Sequence, residues 1–126
     1  MTEDAPTPEQ IETELAYFTG TQNYYQYLAN VVLTDGAKHL ADRAGAYWLM
    51  DVVASWQVEK RVACQPFQHW KLEVEDDNTA TVVADDGNGN EIARQEIPFT
   101  DFPLRSTRLY LVKDGKYRVL MLPSEY

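Results

Sequence analysis

The sequence predicts an α+β fold, with N-terminal helices packed on one face of a C-terminal antiparallel β-meander of about five strands. Three observations carry this. Apolar residues recur at helical spacing up to Glu59. From Trp70 onward the period switches to strict alternation. Turn residues then break the second half into short segments.

The elements follow in order. Residues 1–6 are polar and read as a flexible N-terminus, which leaves 7–126 as one domain. Thr7-Pro8-Glu9-Gln10 is a helix start, in which Thr7 caps, Pro8 fits the first turn and Gln10 completes a capping box. Ile11, Leu15 and Phe18 form its apolar stripe, and Gly20 ends it. Part of 23–33 reads as a short strand or extended segment, because it is aromatic and β-branched in patches. Thr34-Asp35-Gly36 is a turn that also caps a short helix over 37–43, stopped near Gly45. A second helix follows over 46–59, with Trp48, Leu49, Val52, Val53 and Trp56 as its buried stripe.

Beyond Pro66, Trp70, Leu72 and Val74 alternate with Lys71, Glu73 and Glu75, the mark of a half-buried strand. Further strands are expected over 80–84, 91–99, 107–112 and 117–122. Asp86-Gly87-Asn88-Gly89 is a hairpin turn, since Asn and Gly tolerate positive φ. Pro103, which has no N–H to donate, interrupts pairing around 101–103.

Composition narrows the function classes. At 126 residues and 44% apolar, the chain buries an ordinary core and is not disordered. Twenty acidic and 11 basic residues leave a net charge of −9, which repels phosphate backbones and anionic membrane surfaces. Neither direct nucleic-acid binding nor membrane association is expected. The single cysteine, Cys64, forms no intrachain disulfide, and 1–4 lack the apolar stretch of a secretory signal; the expected location is the cytoplasm.

No residue set specifies a reaction, a metal or a cofactor. Asp86, Asn88 and Asn90 alternate like the first ligands of a calcium loop, but Glu91 stands where that loop needs glycine and Ile97 where it needs glutamate. His39 and His69 lie in no zinc spacing with Cys64, and both read as solvated surface residues. A Cys64–His69 dyad has only sequence proximity behind it.

Two groups are candidate interaction residues. Tyr24, Tyr25 and Tyr27 cannot all point inward, so at least one is an exposed anchor. Glu73, Glu75, Asp76, Asp77, Asp85 and Asp86 fall on adjacent strands and their turns. They are expected to gather at one end of the sheet as an acidic patch that docks a basic partner. At the C-terminus, Pro123 stiffens the backbone. Tyr126 is expected to pack its ring on the domain, with its carboxylate held by a backbone N–H or a nearby cation, for which Arg105, Arg108 and Arg118 are the candidates.

Several segments carry a resemblance: Phe18-Thr19-Gly20-Thr21, Thr34-Asp35-Gly36, Gly45-Ala46-Tyr47-Trp48-Leu49, Phe67-Gln68-His69-Trp70-Lys71-Leu72, Asp86-Gly87-Asn88-Gly89-Asn90, Thr100-Asp101-Phe102-Pro103-Leu104 and Leu122-Pro123-Ser124-Glu125-Tyr126. Over 18–126 the chain resembles a family of small bacterial proteins that carries a domain of unknown function. The resemblance implies a bacterial origin, partly on phages and plasmids, and no activity. The expected function is therefore that of a small acidic protein-binding module or modulator without catalytic activity. If the mobile-element origin holds, its target is a host or defence protein. The alternative is a small-ligand-binding domain or enzyme with a pocket between helices and sheet.

Overall fold

A computed structural model describes residues 6–126; the flexible segment expected over 1–6 lies, save for Pro6, outside the described residues. The order is α1 (Pro8–Leu15), β1 (Tyr24–Gln26), β2 (Val31–Thr34), α2 (Asp35–Ala44), α3 (Tyr47–Trp56), α4 (Lys60–Ala63), β3 (Phe67–Val74), β4 (Ala80–Asp85), β5 (Glu91–Ile97), β6 (Ser106–Asp114), β7 (Tyr117–Met121) and a 3₁₀ turn over Pro123–Glu125. The protein is α+β.

Local chemistry sets the helix ends. The Thr7 hydroxyl accepts from the Gln10 N–H at 3.1 Å while the Gln10 side chain accepts from the Thr7 N–H at 2.9 Å, the reciprocal capping box. The helix stops at Leu15, earlier than Gly20, because Tyr17 and Phe18 donate to carbonyls three residues back and tighten the chain. Thr34 caps α2 by accepting from the Ala37 N–H at 3.2 Å, and Gly45 closes it in the left-handed conformation at φ 61°. The helix expected over 46–59 ends early, as α3 at Trp56, again through a three-residue-back bond from the Gln57 N–H to Ala54 O, and the separate single turn α4 follows beyond its expected end.

The sheet differs from the expected meander. It has seven strands in the order β1-β2-β7-β6-β3-β4-β5. β3, β4 and β5 do form a meander, but β6 returns to lie beside β3, which makes a Greek key. The interruption around Pro103 is that return. As the chain crosses the end of the sheet it is stitched down by Thr100 N–H to Asn78 O and Val74 N–H to Arg105 O, both 2.8 Å. Phe102 and Leu104 bury there. The segment over 23–33 is a hairpin and adds two strands. Its turn places Ala29 and Asn30 at positive φ without a glycine, which hides it from turn chemistry. β2 then pairs in parallel with β7, so the sheet is mixed.

One parity of the strands faces the helices. Leu33, Leu120, Leu111, Leu109, Trp70, Leu72 and Val82 join Ile11, Leu40, Leu49, Met50, Val53 and Val62 in one core. Trp70 is the largest fully buried side chain, whereas Trp48 and Trp56 are half-buried at the margin of that core. A polar network crosses it. The Gln57 and Gln68 amides pair reciprocally at 2.9 Å, and Gln68 also accepts from the Trp70 indole and donates to Val62 O, each at 2.9 Å. Every amide hydrogen bond matters there, because an unpaired buried amide is costly.

The C-terminal segment closes on α2. Glu125 accepts from the Thr34 hydroxyl at 2.6 Å and the Gly36 N–H at 3.0 Å, placing a carboxylate at the helix N-terminus. The same side chain accepts from Leu122 N–H at 2.9 Å. A Cβ on Gly36 would stand 2.5 Å from a Glu125 carboxylate oxygen, so only glycine admits this approach. Ser124 donates to Phe18 O at 2.6 Å, and Thr21 accepts from Asp35 N–H at 2.8 Å, so three of the segments that carry the resemblance meet here. The expected anchor, an arginine on the Tyr126 carboxylate, is replaced by Glu125. The three arginines are engaged elsewhere: Arg105 with Asp76, Arg108 with His69, and Arg118 with Ala63 O.

Trp70→Ala is expected to lower the unfolding free energy by about 3–5 kcal/mol, and Trp48→Ala by less because it buries less. Denaturant titration of both variants checks the ranking, and a Trp70→Ala protein that unfolds like wild type contradicts this core.

Removing the closing carboxylate by Glu125→Ala is expected to cost roughly 1–3 kcal/mol, since it strips partners from Thr34 and Gly36. An unchanged denaturant midpoint and slope would show the clip to be dispensable.

Candidate functional site

Alternation dictates a second surface. Residues out of phase with the core point away from the helices, and the parts of the described chain that pack on this face include the Tyr126 ring and the Gly87 turn, both against Phe67. The open face divides in two. Across β1, β2, β7 and β6 it is aromatic and aliphatic; across β3, β4 and β5 it is charged.

The apolar half holds a groove. Gln26, Val32 and Val119 form one row across three strands, in register Gln26↔Val32 and Val32↔Val119. Asp114 and Tyr117 are the closing pair of the β6–β7 hairpin. With Tyr24 they line a concavity of about 350 Å³. Val32 and Val119 are buried at its floor, outside the main core, while Tyr24 is 61% exposed.

Beside the groove stands an aromatic cluster. Phe67, Tyr110 and Tyr126 approach pairwise with ring centroids 4.9–5.5 Å apart, in tilted and edge-on arrangements that suit aromatic quadrupoles. The Tyr126 ring does pack on the domain, although it stays 72% exposed. Gly87, at φ 91°, lets the hairpin lie against Phe67; a Cβ there would come within 2.8 Å of the ring.

His69 is not the solvated residue expected. It is half-buried, with Nδ1 3.0 Å from Asp85 Oδ2 and Nε2 3.0 Å from Arg108 Nε. Arg108 only donates, so Nε2 accepts and the ring proton sits on Nδ1, given to Asp85. Register causes this, because Asp85 and Tyr110 are the cross-strand partners of His69. Both ring nitrogens are occupied, and the Cys64 thiol bonds to Arg61 O at 3.3 Å, so the pair forms no dyad. The other histidine, His39, is also half-buried. It packs on Phe18 and meets Glu14 at 2.7 Å. Arg43 joins that carboxylate with two bonds of 2.8 Å.

The tyrosines separate by strand parity. Of Tyr24, Tyr25 and Tyr27, only Tyr24 faces the groove. Tyr25 donates to Asp35 at 3.1 Å under the Lys38 ammonium. Tyr27 donates to Asp51 and stacks on Tyr47, and burial together with that carboxylate pushes its hydroxyl up to about 12.

The six acidic residues do not gather. Pairing runs from His69↔Asp85 to Val74↔Ala80, which puts Asp85 and Asp86 about 17 Å from Glu75, Asp76 and Asp77 along the strands. Most are also engaged locally: Glu73 with Lys71, Asp76 with Arg105, Asp77 with Thr79, Asp85 with His69. The Asp86 carboxylate accepts from Asn88 N–H, Asn90 N–H and the Asn90 amide, which hold it below the usual carboxylate range. Sequence reasoning passed over Phe67, Tyr110, Asp114 and Tyr117. The available signal was aromatic residues at the polar parity of their strands.

The sequence profile of a family of unknown function, DUF6876, matches residues 9–126, and the chain belongs to that family. Among solved structures, a protein of unknown function from Enterococcus faecalis shares the fold, with a TM-score of 0.56 at 17% identity over 80% of this chain and 93% of that one. No curated protein matches the sequence. Among the described residues, no helix is long and apolar enough to cross a membrane.

Arg43 and His39 hold the Glu14 carboxyl down to about 2 from its ordinary 4.5. A depressed carboxylate contributes stability above its unfolded value and loses it as pH falls through the folded one. Wild type is therefore expected to exceed Glu14→Gln by a constant margin above pH 4.5, a margin that closes between pH 4.5 and 2. Denaturant midpoints across that range are the measurement; a gap that persists at pH 2 contradicts the assignment.

Proposed function

We propose that this protein is a small acidic protein-binding module that engages a basic partner through the open face of its sheet, without catalysis of its own. The observation that carries the reading is the aromatic surface of this face, where Tyr24, Tyr117 and Tyr126 are exposed and Phe67 and Tyr110 are half-buried against Tyr126. Soluble chains rarely leave such surface open unless something docks there, and tyrosine is a common interface anchor. The charge of −9 favours a basic protein over a nucleic acid and steers its approach. In this reading the protein works in the bacterial cytoplasm, and a mobile-element origin would make the target a host or defence protein.

The small-ligand reading keeps one observation in its favour, the groove of about 350 Å³. It moves from its expected place, because the space between helices and sheet is filled by Met50, Leu49, Trp70 and the Gln57–Gln68 pair.

A photo-crosslinking residue placed at Tyr24 or Tyr110 tests the module reading in lysate of the native host. One discrete protein is expected from both positions, at a yield that falls with salt, and not from Tyr17, which is 82% exposed on the helical side. Equal capture from Tyr17, or none from the open face, overturns it.

A further inference from the structure

The groove has a chemistry more specific than apolar. Its floor is Val32 and Val119, two of its walls are the phenol rings of Tyr24 and Tyr117, and Asp114 and Gln26 stand at its rim. Asp114 and Tyr117 are directly opposite across the hairpin, so carboxylate and ring lie within one cross-strand spacing. An aromatic face beside a carboxylate, over an aliphatic floor, suits a side chain with an apolar stem and a cationic head. One cation already uses this ring, for the Lys116 ammonium stands 5.2 Å from the Tyr117 centroid.

We propose that the groove seats an arginine side chain from an exposed segment of the basic protein partner. The proposal rests on the protein-binding reading above and names where the partner's charge is read. Arginine fits better than lysine, because its flat guanidinium stacks on a phenol ring while its fork donates to Asp114 and Gln26. The methylene stem lies on Val32 and Val119. Lys116 is the internal competitor, adding like charge and occupying the ring. The two exposed ends of the groove, Tyr24 on the edge strand and the β6–β7 turn, leave room for the segment's backbone to pass.

The probe is a seven-residue glycine–serine peptide with one central arginine, set against the same peptide with citrulline, its uncharged isostere. Amide and side-chain resonances of labelled full-length protein are followed during titration. The arginine peptide is expected to shift Tyr24, Gln26, Tyr117 and Val119 saturably, and the citrulline peptide is not. Asp114→Asn and Tyr24→Ala should each weaken binding by about fivefold or more, the scale of one charge-assisted or stacking contact. Lys116→Gln should act the other way and strengthen it by about threefold, as the ring is freed. Equal shifts by both peptides, shifts centred on the Glu75–Asp77 turn, or indifference to Asp114→Asn each overturn the proposal. The two readings fail separately. If the crosslinked partner binds Asp114→Asn and Tyr24→Ala as tightly as wild type, the module reading stands and the arginine seat falls. If the peptide binds as described but no partner crosslinks, the seat stands and the broader reading falls.

Discussion

The groove on the open face depends on one joint, the parallel pairing of β2 with β7. It joins the N-terminal hairpin to the C-terminal half of the sheet, between Val31 and Arg118 and their neighbours, far apart in the chain. Only three register pairs make it, and long-range pairing carries a loop-closure cost that short ladders repay poorly. The Glu125 clip reinforces it from the side. That carboxylate binds Thr34 at the end of β2, Gly36 at the start of α2 and Leu122 just beyond β7, so both strands of the joint end on one anion. A charged hydrogen-bond acceptor at a helix N-terminus gains from the aligned amide dipoles as well as from the bonds themselves. Without the joint, Tyr24 and Gln26 would not stand beside Tyr117 and Val119, and the groove would not exist.

The two faces of the sheet are built on different rules. The inner face is a close-packed apolar core crossed by a buried polar device, the Gln57–Gln68 pair with the Trp70 indole. That device ties the end of α3 and the α4 turn to the first half of β3, with its amide donors and acceptors matched. Its worth lies in fixing one arrangement of the helices over the sheet, since a helix shifted by a turn would orphan a buried amide. The outer face carries its polar chemistry as pairs and relays, such as Asp85–His69–Arg108.

This arrangement changes where the protein's acidity matters. The net charge is spread among local partnerships, and the carboxylates that looked like a patch in the sequence are split between the two ends of the β3–β4 hairpin. In the proposed reading, what a partner would meet is the general negative field, which would steer, together with an aromatic surface, which would hold. Those are separable roles, because steering acts on the association rate while desolvated aromatic contacts act on dissociation.

The α+β class, the capping box at Thr7, the Thr34 and Gly45 helix boundaries and the strand parity from Phe67 onward are all legible in the sequence, because each rests on neighbours within a few residues. The hairpin over 24–34 is half legible; its strands show as aromatic and β-branched patches, but its turn holds Ala29 and Asn30 at positive φ without the glycine that would announce it. Tyr24 is recognisable as one exposed member of a crowded trio, although which member is exposed depends on parity within a three-residue strand. Strand order is another matter. The return of β6 to β3, the parallel joint and the recruitment of Glu125 to Gly36 all bring together residues far apart in the chain, and no local propensity encodes them. Sequence by itself determined the α+β class, most of the helix starts and C-terminal strands, the buried parity and the sign of the field, since these follow from short-range periodicity and composition. Tertiary structure alone decided which carboxylates meet, which histidine nitrogens are occupied and where a groove opens, since those follow from cross-strand register, and one slip of register would turn every side chain to the other face.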